Sequence, residues 1–484
     1  MFAVFSALGS YVLLKSYINS ASRNSDEVEE EKTELNDLPF EVLTLILSSL
    51  NPGNYESNRK FIGSVALSSK KMRQAQILGL PLCFNKGSIR LGDVLGTYSL
   101  EEIMSESVAP SIKRINLTHL STSKYQINQI LEKLPNLEVL EVHDSLFNFP
   151  LDLSKNPKLK ILNLSGCSSF KQELDLSSLV NLETLDLSFC MEFDEKLDLS
   201  FLQSLKKLCL SRCWSFNSEL IFPHTGASLE EIDFSRCEAL DQNLDLSSLH
   251  HLRKLDLSYC IGFNGLLTLV KKDSKAFSLE SLIMCDCSVF NQPLNLSGLN
   301  KLKALEIKSC TFFNSPLTLK GLSSLEKLIM SECSSFNQYL ALEHLPLLEC
   351  FDFSSSMRFT QALNFSKCLR LKTVNMEKCQ GVQSLDLSGL KELTELNISK
   401  CRLLIDLNMS HCIAFNQYID FSGLYSIERI KMSHCMVFNQ DLDLKPLKTL
   451  QELDISNCVK FEQFIFCEHL PNLTLNLEGT KRSS

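Results

Sequence analysis

Short stretches of this chain alternate strictly between apolar and polar residues, and these stretches recur at a nearly constant interval. In Leu185-Asp186-Leu187-Ser188, for example, two leucines alternate with an acid and a hydroxyl. A period of two predicts a half-buried strand, with Leu185 and Leu187 facing inward and Asp186 and Ser188 facing outward. The pattern therefore predicts one short strand in each repeat.

Each predicted strand belongs to a longer phrase, Leu-x-x-Leu-x-Leu-Ser-x-Cys, which occurs fourteen times. Its last position is cysteine thirteen times and serine once, and nine of the thirteen intervals between these positions are 23 residues long. We call these fourteen positions the cysteine ladder. They are Cys167, Cys190, Cys213, Cys237, Cys260, Cys287, Cys310, Cys333, Ser356, Cys379, Cys401, Cys412, Cys435 and Cys458.

From about Ile112 to the C-terminus, this phrase and its period resemble those of the leucine-rich-repeat superfamily. The resemblance implies a leucine-rich-repeat solenoid, with a curved parallel β-sheet on the concave face and short helical or extended segments on the convex side. A second recurring phrase, Phe-Asn-x-x-Leu-Asp-Leu-Ser-x-Leu, predicts one buried phenylalanine in each coil. The eleven-residue step from Cys401 to Cys412 indicates a half-coil, which must either kink the stack or bulge out of it.

The ladder cysteines indicate the redox environment of the protein. Because they share one phase of the repeat, neighbouring side chains point in parallel rather than toward each other, which disfavours disulfide bonds. We interpret them as reduced thiols packed as small hydrophobic side chains. This predicts a reducing, cytoplasmic location.

Composition and motifs exclude several classes of function. The formal net charge of -9 disfavours nucleic-acid binding, because affinity for phosphates depends on Lys and Arg. The sequence contains no phosphate-binding glycine loop, no His-Glu-x-x-His motif and no Gly-x-Ser-x-Gly motif. We therefore predict a protein that is not an enzyme, with no catalytic residues, no cofactor and no metal.

Two segments at the N-terminus differ from the repeats. Residues 1–20 are apolar, but the uncharged run before Lys15 is only fourteen residues long, and a membrane-spanning helix needs about 20. A membrane anchor within residues 1–18, a cleaved secretory signal and a packed or interfacial helix all remain open for this segment. Residues 21–35 are predicted to form an acidic linker.

Residues 36–87 are predicted to form a helical module. Asp37 is a suitable N-cap, Pro39 fits the first turn, and apolar residues follow at helical spacing. The segment resembles an F-box, by which substrate receptors bind the adaptor subunit of cullin-RING ubiquitin ligases. The resemblance implies that the adaptor would contact Leu38, Pro39, Glu41, Val42, Leu43, Ile46, Leu47 and Leu50. The alternative is a cap that seals the first coil.

Three further boundaries follow from the same patterns. Residues 88–135 are predicted to contain a transition and the first repeat, with a helix from Gln126 to Leu134. Residues 136–478 are predicted to form leucine-rich repeats with a period of 23. Residues 479–484 form a tail.

One group of residues is a candidate for binding a substrate protein. The position before each ladder residue lies at the edge of the concave face, and in four consecutive coils it is aromatic or arginine. Such residues are common hot spots of protein interfaces. With the only tryptophan, the predicted patch comprises Phe189, Arg212, Trp214, Arg236 and Tyr259. Acidic side chains adjoin it and indicate a partner of mixed or basic charge, namely Asp186, Glu231, Asp233 and Asp256.

Two functions agree with these observations. The first is a protein-interaction scaffold that serves as the substrate-recognition subunit of an F-box ubiquitin ligase, with the substrate on the concave face. The second is a surface or secreted recognition or adhesion protein, because the Phe-Asn-Gln-x-Leu phrase also resembles repeats of bacterial surface leucine-rich proteins. In that case the N-terminal helices would act only as a cap.

Overall fold

The computed structural model describes residues 112–117, 124–223, 227–270 and 277–482. Two compact units divide the chain, one formed by Met1–Asp144 with Leu151–Asn163 and the other by Ser145–Pro150 with Leu164–Ser484. The apolar N-terminal segment, the acidic linker and the F-box-like module all lie outside the described residues.

The described part of the first unit contains three parallel strands and one helix. The strands are β1 (Arg114–Asn116), β2 (Val139–Glu141) and β3 (Ile161–Asn163), and the helix is α1 (Lys124–Glu132). Ile115, Leu140 and Leu162 lie opposite one another and are almost fully buried. Their alignment fixes the register of the sheet, because a slip by one residue would move every leucine to the polar face. The predicted helix is present and begins two residues earlier than expected.

The second unit is a leucine-rich-repeat solenoid in which each coil has two extended limbs. On the first limb, successive strands form one parallel sheet: β4 (Thr184–Asp186), β6 (Lys207–Cys209), β8 (Glu231–Asp233), β10 (Lys254–Asp256), β12 (Ser281–Ile283), β14 (Ala304–Glu306), β16 (Lys327–Ile329), β17 (Cys350–Asp352), β18 (Thr373–Asn375) and β20 (Glu395–Asn397). The predicted alternation is confirmed, because the central residue of each strand is buried and its neighbours are more exposed.

The second limb carries six two-residue strands followed by five three-residue strands. The first six are β5 (Leu197–Asp198), β7 (Leu220–Ile221), β9 (Leu244–Asp245), β11 (Leu267–Thr268), β13 (Leu294–Asn295) and β15 (Leu317–Thr318). The last five are β19 (Ser384–Asp386), β21 (Asp406–Asn408), β22 (Arg429–Lys431), β23 (Glu452–Asp454) and β24 (Thr474–Asn476). One coil has a 3-10 helix, Leu342–His344, at this place. The second limb is therefore extended rather than helical.

The half-coil step transfers the ladder from one limb to the other. β18 pairs with β20, and β19 pairs with β21, so consecutive strands in this region lie on alternate limbs. Cys401 closes a first-limb strand, whereas Cys412 closes a second-limb strand. The first-limb sheet ends at β20, and a five-stranded second-limb sheet begins at β19. The eleven-residue step is therefore half of a 22-residue coil and not an inserted bulge.

The thirteen ladder residues from Cys190 to Cys458 each join two coils through a side-chain hydrogen bond. The Sγ of Cys190 donates to the carbonyl oxygen of Leu164 at 3.2 Å, and the Sγ of Cys213 donates to that of Leu187 at 3.0 Å. Ser356 is fully buried, and its Oγ donates to the carbonyl of Met330 at 3.2 Å. The serine thus performs the same role as the cysteines. In each case the acceptor belongs to the preceding coil.

The ladder thiols are expected to resist alkylation in the native protein. Burial raises the pKa of Cys260, Cys401 and Cys412 from 9.0 to about 12, which lowers the fraction of reactive thiolate at neutral pH about a thousandfold. Iodoacetamide labelling followed by peptide mass spectrometry should modify the half-buried Cys350 and Cys467 before the ladder thiols. Equal labelling rates for the ladder and for these two residues would contradict the burial argument.

The residues of the Phe-Asn phrase connect each coil to its neighbours through ring stacking and hydrogen bonds. Phe313 stacks between Phe290 and Phe336, with ring centroids 5.5 and 5.3 Å away. The backbone N–H of Asn314 donates to the Oδ1 of Asn291 at 2.8 Å. The predicted buried phenylalanine is therefore present in most coils, where it forms a phenylalanine spine, while Leu240, Val382 and Leu404 fill its position in the others. Each following asparagine supplies an acceptor for the backbone of the next coil.

Candidate protein-binding surface

Four of the five predicted substrate-binding residues occupy the same backbone position in consecutive coils. Their φ angles lie in the left-handed region: Phe189 (61°), Arg212 (64°), Arg236 (63°) and Tyr259 (61°). This conformation costs roughly 1–2 kcal/mol per non-glycine residue. The same φ occurs at this position in later coils, so it belongs to the repeat. Gly166 fills the position in the first ladder coil, where a glycine bears less strain.

Backbone hydrogen bonds hold these four residues at the spacing of the coils. The N–H of Phe189 donates to the carbonyl of Ser211 at 2.7 Å, and that of Arg212 donates to the carbonyl of Ser235 at 2.7 Å. Arg236 and Tyr259 make the equivalent bonds at 2.7 and 2.6 Å. The backbone is therefore fixed before any partner binds, which reduces the entropy lost on binding.

Each arginine of this group stacks on an aromatic ring. The guanidinium carbon of Arg212 lies 4.8 Å from the ring centroid of Phe189, and that of Arg236 lies 4.1 Å from the centroid of Tyr259. We call these four residues the aromatic–arginine row. Such contacts contribute about 0.5–1 kcal/mol at exposed sites. The two guanidinium groups thus lean in opposite directions along the row, each toward its own ring.

The two arginines also differ from the basic residues around them. Lys207 pairs with Glu231 at 3.6 Å, and Arg253 pairs with Glu280 at 2.7 Å. Neither Arg212 nor Arg236 forms an ion pair within the part of the chain that the structure describes. Their N–H groups remain available, while one face of each guanidinium is covered by a ring. This arrangement suits planar anionic groups such as carboxylates.

The exposed apolar surface extends beyond the predicted patch. Trp214 is 43% exposed, and the turn residues of the following coils add Ile261 (46%), Val289 (40%) and Phe312 (62%). Sequence reasoning missed these three, although all lie one or two positions after a ladder cysteine. Later coils also have exposed apolar residues at these positions, for example Met357 and Leu403. We call the combined surface the ladder-turn edge; it comprises Phe189, Arg212, Trp214, Arg236, Tyr259, Ile261, Val289 and Phe312.

The acidic residues beside the patch have a structural role in the turns. The Oδ1 atoms of Asp186, Asp233 and Asp256 accept hydrogen bonds from the backbone N–H groups of the serines two positions later, at 2.9, 2.9 and 3.0 Å. Glu231 is held by Lys207. Their presence is therefore explained by the repeat itself, and they are weaker indicators of a basic partner than the sequence suggested.

Other candidate features remain outside this surface. His411 and His434 stack with ring centroids 4.5 Å apart, on the limb opposite the aromatic–arginine row. In the described ranges, no group of three or more His, Cys, Asp or Glu side chains is arranged to hold a metal ion. Nor does any helix there combine the length and apolar character needed to cross a bilayer. The eight predicted adaptor-binding residues, from Leu38 to Leu50, lie outside the described residues.

Among the comparisons with known proteins, only the one with solved structures finds proteins similar to this chain. No protein-family model matches the chain, and no curated protein matches it. The functional domain of InlJ from Listeria monocytogenes, which includes a cysteine ladder, is 19% identical over 72% of this chain, with a TM-score of 0.43. This chain spans 65% of that domain, just under two thirds of its length.

Two further structures show similarity at the same low level. The TLR13–ssRNA13 complex is 18% identical and covers 79% of this chain and 60% of its own, with a TM-score of 0.36. A leucine-rich-repeat protein of Leptospira interrogans is 16% identical and covers 78% of this chain and 98% of its own, with a TM-score of 0.35. At this level of similarity, the surface has to be interpreted from its own residues.

Proposed function

We propose that this chain is a non-enzymatic scaffold that binds a protein partner along its ladder-turn edge. The aromatic–arginine row is the observation that carries this proposal. At the same backbone position, later coils have Asp286, Ser309, Glu332 and Ser355, all with the same left-handed φ. The fold therefore requires neither large aromatic nor arginine side chains there, and their succession in four coils favours a role in binding.

The chemistry of the edge defines the kind of partner. Two guanidinium groups without an ion pair in the described ranges offer bidentate hydrogen bonds to carboxylates, while Trp214, Ile261 and Phe312 offer apolar contact area. We expect a protein segment in which acidic residues are flanked by apolar ones. This expectation replaces the mixed or basic partner suggested by the neighbouring carboxylates, because those carboxylates bond to their own turns or to Lys207.

We further propose that the scaffold is the substrate-recognition subunit of an F-box ubiquitin ligase. This finer proposal rests on the sequence of residues 36–87 and on their position directly ahead of the repeats. The solenoid would hold the substrate, and the helical module would bind the adaptor. A surface or secreted recognition protein is the second candidate, and the buried free thiols of the ladder favour the reducing compartment that the first requires.

Binding of the purified ligase adaptor to the full-length chain tests the finer proposal. Replacing Leu38 and Pro39 with Ala should weaken adaptor binding at least about tenfold, because it truncates apolar anchors of the predicted contact. The control is Thr44→Ala with Ser48→Ala, two changes outside the predicted apolar face of the same helix, and it should bind as the wild type does. Failure of the wild type to bind the adaptor would refute the ligase function. A cap on the first coil would then remain as the role of residues 36–87.

A further inference from the structure

Five successive internal coils present an uncharged surface on the second limb. In each coil, three alternate positions after the spine phenylalanine are exposed or half-buried, for example Asn291, Pro293 and Asn295. These fifteen positions, from Asn264 to Asn364, contain no charged residue. In the four preceding coils, from Lys171 to Asp245, nine of the twelve equivalent positions are charged. The fold therefore permits charge at these positions, and we call the fifteen-residue surface the neutral face.

The first row of the neutral face has amides where preceding coils have carboxylates. The Oδ1 of Asp194 accepts a hydrogen bond from the backbone N–H of Asn217 at 2.8 Å. The Oδ1 of Asn291 accepts the equivalent bond from Asn314, also at 2.8 Å. Either side chain thus holds the next coil, but the amide has an additional N–H₂ donor and no charge. Within the described residues, the Nδ2 atoms of Asn291 and Asn314 form no hydrogen bond.

The third row of the neutral face shows the same exchange. The Oδ1 of Asp198 accepts a hydrogen bond from the backbone N–H of Ser200 at 3.0 Å, and the Oδ1 of Asn295 accepts one from Ser297 at 3.1 Å. Asn295 lies opposite Thr318 in the register of β13 and β15. Uncharged hydrogen-bonding groups therefore follow one another from coil to coil, at a spacing of about 4.8 Å.

An apolar stripe separates these two rows. Its members are Leu266, Pro293, Pro316, Tyr339 and Ala362. Leu266 is 44% exposed and Tyr339 is 56% exposed. Because outward residues of an extended segment are two positions apart, each polar row lies about 7 Å from the stripe. The neutral face thus offers apolar contact area with uncharged hydrogen-bonding groups on both sides.

We infer that the neutral face binds an uncharged polysaccharide that runs from coil to coil. A sugar ring has apolar C–H faces and a rim of hydroxyl groups, so the stripe would contact the ring faces and the two rows would bond to the rim. Amide N–H₂ groups donate to hydroxyl oxygens without the desolvation cost of a charge. Nucleic acids and acidic polysaccharides would find no positive charge on this surface. A single aromatic ring and no arginine also distinguish it from the usual centre of a protein interface.

Cosedimentation of the full chain with insoluble cellulose, chitin and mannan tests this inference. The wild type should bind at least one of them, and binding should persist at high salt because no ion pair contributes. Asn291→Asp with Asn314→Asp keeps both acceptor oxygens but replaces two donors with charges, and it should weaken binding at least about tenfold. Tyr339→Ala is a second variant, which should also weaken binding because it removes the ring from the stripe.

The control is Asn416→Asp with Asn439→Asp, which adds the same charges outside the neutral face. The Oδ1 of Asn416 and that of Asn439 accept backbone N–H groups of the next coils at 2.8 and 2.9 Å, so both sites have the same structural role. This control should bind as the wild type does. So should Arg212→Glu with Arg236→Glu, which separates this surface from the ladder-turn edge.

Circular dichroism should show that all the variants remain folded. A wild type that binds none of the three polysaccharides would overturn the inference, even if the neutral-face variants lost a protein partner. Undiminished binding by Asn291→Asp with Asn314→Asp and by Tyr339→Ala would also overturn it, as would an equal loss in the asparagine control.

Discussion

Replacing Phe313 with alanine should lower the free energy of unfolding by about 3–5 kcal/mol. This ring is fully buried and stacks between Phe290 and Phe336, so its removal leaves a cavity shared by three coils. The adjacent hydrogen bond, from the backbone N–H of Asn314 to the side-chain Oδ1 of Asn291, ties the coil to its neighbour, so we expect the cavity to stay open. We expect this substitution to destabilise the solenoid more than any single change at an exposed side chain.

Phe312 provides a matched control in the same coil. Its ring is 62% exposed, so Phe312→Ala should change the free energy of unfolding by less than about 1 kcal/mol. Urea denaturation of both variants, followed by circular dichroism, compares two identical substitutions at adjacent positions. Similar losses of stability in the two variants would contradict the role assigned to the phenylalanine spine.

The strands of the solenoid could be predicted because the same local rule applies in every coil. The period-two alternation around Leu185 determines which residues face inward, and the constant phase of the cysteines aligns each coil with the next. Periodicity also indicated the role of Phe313, because a phenylalanine that recurs at one phase of the repeat is expected to pack against its neighbours in the core. These features depend on short-range patterns, which the sequence contains in full.

The half-coil could not be placed from the sequence because both limbs of a coil contain nearly the same phrase. A Leu-x-Leu-Ser segment ends the first limb at Cys190 and the second limb near Leu202, so an eleven-residue step has no unique interpretation. The hydrogen bonds of Cys401 and Cys412 resolve it, since their acceptors, Met376 and Leu387, belong to strands on different limbs.

The ladder-turn edge was only partly predictable for a related reason. Phe189, Arg212, Arg236 and Tyr259 were identified because they share one phase of the repeat. Other members of the edge, such as Phe312, alternate between two phases, so no single column of the repeat contains them. The stacking of each guanidinium on a ring depends on side-chain conformations that no periodic pattern encodes.

The double substitution Arg212→Glu with Arg236→Glu should reduce binding of the protein partner at least about tenfold, which corresponds to about 1.4 kcal/mol. It reverses the charge of the two guanidinium groups and removes both ring contacts. The free energy of unfolding should change little, because neither arginine forms an ion pair in the described ranges and neither lies in the core.

The chain offers a control of the same charge at the same backbone position, although both control lysines pair with Glu377, at 3.0 and 3.5 Å. Lys378 and Lys400 occupy the equivalent left-handed positions in two later coils, with φ of 63° in each. Changing both to Glu reverses the same number of positive charges at the same backbone position, outside the ladder-turn edge. A general electrostatic effect would therefore weaken binding in both double variants, whereas a specific contact would weaken it only in the arginine variant.

Quantitative affinity capture with the wild type, the arginine variant and the lysine variant is the most direct test of the ladder-turn edge as a binding surface. Captured proteins would be compared by mass spectrometry, with circular dichroism confirming that all three proteins are folded. We predict one or more partners that the wild type and the lysine variant capture equally and the arginine variant does not. Equal capture of every partner by all three proteins would contradict the role of the ladder-turn edge in binding.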